Sequence, residues 1–90
     1  MIEVVVYSKP DCHLCDVVKA QLERLQGSFP FELREVNILD DPESFGRFKE
    51  EIPVVFINGK KAFKYHLHEK EFARRMEAIF AGERKLTHGA

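Results

Sequence analysis

Ninety residues confine this chain to one domain built on one main core. With 44% hydrophobic and 32% charged residues it has the balance of an ordinary globular protein, and a formal net charge of -1 leaves no electrostatic case for nucleic acid or an anionic membrane surface. No apolar run approaches the roughly 20 residues of a membrane span, and Glu3 and Lys9-Pro10 interrupt what would have to be a leader, so the cytoplasm is the expected compartment and a monomer the expected state.

Ile2-Glu3-Val4-Val5-Val6-Tyr7 is β-branched and almost continuously apolar, which suits a central strand buried on both faces. Leu14, Val17, Val18, Leu22 and Leu25 then recur at helical spacing, so a helix is expected from about Cys12 to Gln26. Asp11 is its expected N-cap and Gly27 its C′ residue, and Leu14 is read as core. Phe31 to Asn37 alternates as a second strand with one wet face. Asp41-Pro42-Glu43 reads as a helix start, giving a short helix to about Lys49 on which Phe45 and Phe48, three apart, can share one face.

Ile52 to Ile57 is a third strand. Asn58-Gly59 is a strong signal for a type I′ hairpin, because both central residues of that turn need positive φ. Lys60 to Tyr65 follows as an antiparallel fourth strand whose lysines suit a sheet edge. Phe72, Met76, Ile79 and Phe80 mark a last helix from about Glu69 to Ala81, ended by Gly82. The domain is thus expected over 1–82, with a flexible polar tail over 83–90. The order β-α-β-α-β-β-α predicts an α/β fold, a four-stranded mixed sheet with helices on both faces.

The chain holds two cysteines, Cys12 and Cys15, in the stretch Lys9-Pro10-Asp11-Cys12-His13-Leu14-Cys15 between the first strand and the first helix. A disulfide closing so short a loop constrains the unfolded chain little, and a reducing compartment disfavours structural bridges, so chemistry or metal binding is the better use. A helix start offers free N–H groups and the positive dipole end, and both favour a thiolate. Cys12 is therefore the expected nucleophile and Cys15, one turn inward, the resolving thiol. Lys9 adds a cation nearby. His13, between the thiols, either biases the redox potential or is simply solvated.

These motifs, with the order of elements and Ile52-Pro53 before the third strand, resemble a glutaredoxin over nearly the whole chain. Cys12-His13-Leu14-Cys15-Asp16 with Ile52-Pro53-Val54 resembles a subgroup known only as glutaredoxin-like. The resemblance implies a thioredoxin fold, a cis proline at Pro53 packed against the dithiol, and a backbone at Ile52 open to an extended substrate. It makes Tyr7, Ile52, Pro53, Tyr65 and His66 candidate substrate contacts, with core packing the alternative for Tyr7 and a trans proline opening a strand the alternative for Pro53. Glutaredoxins usually carry a Gly-Gly turn and an acidic pair that hold glutathione after the fourth strand. Here that stretch is Lys64-Tyr65-His66-Leu67-His68-Glu69, with no glycine pair.

The reading that results is a dithiol-disulfide oxidoreductase with no bound cofactor and no metal. Its substrate would be a protein or low-molecular-weight disulfide, and its electron donor glutathione or a thioredoxin-reductase-like flavoenzyme. Two rivals come from other classes. One is a module holding zinc or an iron–sulfur cluster, with Cys12, Cys15, His66 and His68 as four possible zinc ligands. The other is an interaction domain whose dithiol is not catalytic. Glu50-Glu51 and Arg74-Arg75 read as ordinary solvated charges.

Overall fold

A computed structural model describes the backbone of residues 1–89 and the side chains of residues 1–82. Strand β1, Ile2–Ser8, lies inside the sheet with β2, Phe31–Asn37, on one side and β3, Val54–Ile57, on the other. Strand β4, Lys60–Lys64, is the edge beyond β3. The β1–β2 pair is parallel, with Ile2 opposite Phe31 and Ser8 opposite Asn37; β1–β3 and β3–β4 are antiparallel. The parallel pair requires a crossover, supplied by helix α1, His13–Leu25. Helix α2, Pro42–Phe48, follows a single 3₁₀ turn at Ile38–Asp40, and helix α3, Glu69–Gly89, closes the chain. Among the described residues, no helix is long and apolar enough to cross a membrane.

Alternation along the strands divides the interior in two. Val4 and Val6 of β1, with Val55 and Ile57 of β3, meet Val18, Leu22 and Leu25 of α1 and Phe72 and Met76 of α3. On the other face Tyr7, Val54 and Phe56 meet Phe48 of α2 together with Ile38, Ile52, Cys12 and Cys15. Helices thus cover both faces, α1 and α3 on one and α2 on the other. Asn58 and Gly59 have φ of 48° and 81°, the positive values a type I′ turn demands.

Several boundaries differ from expectation, each for a physical reason. Asp11 does not cap α1. It takes a left-handed φ of 58°, which Asp tolerates better than most residues, and Cys12 is the N-cap. Leu14 and Val17 are not core, because the buried stripe of α1 runs through Cys15, Val18, Leu22 and Leu25 and leaves both side chains exposed. Phe45 does not share the buried face of Phe48; it is exposed, with the Lys49 ammonium 5.8 Å from its ring centre. Strand β3 starts at Val54, after a cis Ile52–Pro53 peptide, and β4 stops at Lys64 because Tyr65 turns left-handed, φ 66°. Gly82 does not end the last helix. Its missing side chain would meet nothing within 4 Å, and one glycine costs a helix only about 1 kcal/mol. The expected flexible tail over 83–90 lies outside the described side chains.

Candidate functional site

The site forms where β1 ends and α1 begins. Cys12 has an extended backbone, φ -113° and ψ 104°, and its Sγ accepts the free N–H of Cys15 at 3.1 Å. A sulfur therefore fills the place that an Asp or Ser oxygen usually takes at a helix N-terminus. The two cysteines are joined in a disulfide, with Cα atoms 5.2 Å apart. Their surroundings differ sharply: Cys12 is partly exposed, whereas Cys15 is fully buried. A reagent from solvent meets Cys12 first.

Beneath the pair lies the smaller apolar cluster. Cys15 packs with Ile38, Phe48, Ile52 and Val54, and Tyr7, Cys12 and Phe56 border them. Tyr7 packs its ring 4.7 Å from that of Phe48 and 5.4 Å from that of Phe56. It is therefore a wall of this cluster, half-buried. Of the residues expected at the site, Tyr7 and Ile52 are brought together with both cysteines in this cluster, and Pro53, buried, is bonded to Ile52. Ile38, Phe48 and Phe56 complete the cluster, yet in the sequence nothing distinguishes them from any other core residue.

The polar candidates are more scattered. His13 opens α1 and is exposed, as is His66, whose N–H donates to the Lys64 carbonyl at 2.8 Å. Lys9 is exposed and lines a shallow groove of about 250 Å³ with Ser8, Pro10, Lys19, Glu35 and Asn37, whose walls include neither cysteine. A larger cavity of about 340 Å³ sits at the far end of the sheet, against Asn58 and Arg75, remote from the dithiol. Among the described residues, no group of three or more His, Cys, Asp or Glu is placed to hold a metal ion, so Cys12, Cys15, His66 and His68 do not gather as a zinc set.

Tyr65 is held in more detail than its sequence context foretells. Its N–H donates to the Pro53 carbonyl and its O–H to the Glu50 carbonyl, both at 2.8 Å. Glu51 is not a free surface charge either. The Lys61 ammonium donates to its carboxylate at 2.5 Å and Lys64 lies 3.8 Å from the same oxygen. The hydrogen bond from Lys61 is the chief reason that the Glu51 carboxyl sits below its ordinary range. The only sequence signal for this was indirect: an acid immediately before Ile52-Pro53, and lysines on the strand that must pair beside it.

Solved structures share this architecture. Protein Ne2328 from Nitrosomonas europaea superposes with a TM-score of 0.74 at 28% identity, covering 83% of this chain and 91% of that one. Protein XcR50 from X. campestris gives 0.68 at 20% identity, over 83% of this chain and 96% of that one. Thioredoxin O2 from Arabidopsis thaliana, in its oxidised state, gives 0.63 at 15% identity, over 88% and 75%. These likenesses establish a thioredoxin fold. No curated protein matches the chain. A family model described as a glutaredoxin-like domain (DUF836) matches residues 3–77, and with a Cys-x-x-Cys pair heading the first helix of a thioredoxin fold, this chain belongs to that glutaredoxin-like family.

Proposed function

We propose that the protein is a dithiol-disulfide oxidoreductase with Cys12 as nucleophile and Cys15 as resolving thiol. The observation that carries this reading is the asymmetry of the pair: Cys12 is partly exposed at a helix N-cap, its sulfur accepting the Cys15 N–H, and Cys15 is buried one turn inward. Once the disulfide is reduced, the same N–H and the helix dipole favour a thiolate at Cys12. That thiolate attacks one sulfur of a substrate disulfide and expels the other as a thiolate, leaving a mixed disulfide. Cys15 gives up its proton and attacks the Cys12 sulfur, releasing the second substrate thiolate and closing the Cys12–Cys15 bond. The substrate gains the two electrons that the protein loses; of the two protons its thiolates take up, one is matched by the proton Cys15 gives up and the other comes from solvent.

An outside donor then resets the pair. Glutathione and a thioredoxin-reductase-like flavoenzyme are the two candidates. Tyr65 stands in the stretch where glutaredoxins carry the glycine turn that holds glutathione, which favours the flavoenzyme. The substrate is a protein or small-molecule disulfide, and a reducing compartment, the cytoplasm, suits the reductive direction.

The test is a disulfide-reductase assay run in parallel with glutathione and with a thioredoxin-reductase system. Cys12→Ser is expected to abolish turnover with either donor. Cys15→Ser is expected to accumulate the mixed disulfide, visible by mass spectrometry of the intact protein. Full activity in Cys12→Ser would end this assignment.

A further inference from the structure

Residues 49–53 join α2 to β3 outside any helix or strand, yet they carry Ile52 into the apolar cluster that contains both cysteines. Strand β4 and Tyr65 just beyond it tie this loop down on both sides of Ile52. The Tyr65 O–H donates to the Glu50 carbonyl at 2.8 Å, Lys61 and Lys64 face the Glu51 carboxylate, and the Tyr65 N–H donates to the Pro53 carbonyl at 2.8 Å. Tyr65 makes two of these ties, from a left-handed backbone of φ 66°. A side chain other than glycine keeps that conformation only where its surroundings over-determine it. The residue is 37% exposed, so burial alone does not hold it there; it is bonded to Glu50 and Pro53 of one loop.

We infer that Tyr65 is a positioning residue: by holding Glu50 and Pro53 it fixes Ile52 beside Cys12 and Cys15, and so sets where a substrate disulfide docks. The inference rests on the dithiol reading above. Thiol–disulfide exchange makes it consequential, because the attacking sulfur must reach one particular sulfur of the substrate from a defined direction, and small displacements of a docking surface are costly in rate. Tyr65 acts through the loop.

Tyr65→Phe removes the hydroxyl donor and keeps the ring. Losing one hydrogen bond of ordinary strength corresponds to about a 2- to 10-fold effect. KM for a disulfide substrate is expected to rise by about that factor, kcat and the alkylation rate of reduced Cys12 to stay at the wild-type values, and amide exchange across residues 50–52 to quicken by a similar factor. Tyr65→Gly, which suits the left-handed backbone and retains the N–H, controls for folding and is expected to raise KM further. Unchanged KM and unchanged exchange in Tyr65→Phe overturn the inference. A higher KM with unchanged exchange also overturns it, since the hydroxyl would then be a direct substrate contact, and so does a fall in kcat at constant KM. Absence of turnover in the wild type sinks the dithiol reading and this inference with it. An active wild type that Tyr65→Phe fails to alter sinks the role of Tyr65 alone.

Discussion

Glu3 and Asn58 exchange two hydrogen bonds: the Asn58 N–H donates to the Glu3 carbonyl at 2.8 Å, and the Glu3 N–H donates to Asn58 Oδ1 at 2.9 Å. The hairpin turn is thereby bonded to the central strand as well as joining β3 to β4. Asn58→Ala removes the side-chain acceptor and puts an alanine at φ 48°, where asparagine is better tolerated. It is expected to cost about 1–2 kcal/mol. Asn58→Gly loses the acceptor but relaxes the backbone, and is expected to cost less. Urea unfolding of the two variants measures the difference.

Phe72 is the best-connected ring of the larger cluster. It is fully buried, with Phe31 at 5.5 Å and Phe29 and Phe63 each at 6.4 Å between ring centres. Phe72→Ala is expected to lose about 3–5 kcal/mol, the range for emptying an aromatic site in a packed core. The reading is the urea midpoint, at constant slope.

Leu14 and Val17 give the opposite expectation. Both side chains are exposed, at 38% and 43%, so Leu14→Ser and Val17→Ser are expected to shift stability by no more than about 0.5 kcal/mol. Leu22→Ala, on the buried stripe of the same helix, is expected to cost about 2–5 kcal/mol. Thermal unfolding of the three variants side by side tests the orientation of α1.

Two carboxylates tie acid stability to particular contacts. Glu69 is held below its ordinary range chiefly by the hydrogen bond from Arg24 and then by the one from Gln21, which donates at 2.9 Å; Glu51 is held there chiefly by Lys61. A depressed folded pKa means that the unfolded chain takes up protons first as pH falls. The contribution is therefore whole above about pH 4.3 and is lost as pH drops through the folded values. Both groups are partly exposed at the surface, so the effect is modest and salt weakens it. Urea midpoints measured from pH 6 down to pH 3 are expected to show a shallower acid decline in Glu69→Gln than in the wild type, with the gap narrowing at high salt.

What could be read in advance was what local chemistry decides. Asn58-Gly59 names its turn because few residues accept positive φ, and Cys12-x-x-Cys15 names a disulfide-capable pair because the two cysteines stand one turn apart at a helix start. Periodicity placed α1 correctly but not its rotation: Leu14 and Val17 lie near enough to the buried stripe for spacing alone to include them. Phe45 is a similar case, since a three-residue separation brings two side chains close without saying which of them faces the sheet. Tyr65 was out of reach for another reason. Its backbone is held by bonds to Glu50 and Pro53, residues 12 to 15 positions away that only the folded sheet brings near, and no local preference of tyrosine points to a left-handed turn.

The sheet keeps the two apolar clusters apart, and the larger one contains neither cysteine. The larger part of the buried apolar interior is thus distinct from the walls around the two sulfurs. Tyr7, Phe48 and Phe56 line the second cluster, and none of them belongs to the first. A chain built this way has room to vary the walls around its cysteine pair one residue at a time, because the larger core that carries the sheet and helices includes none of those residues.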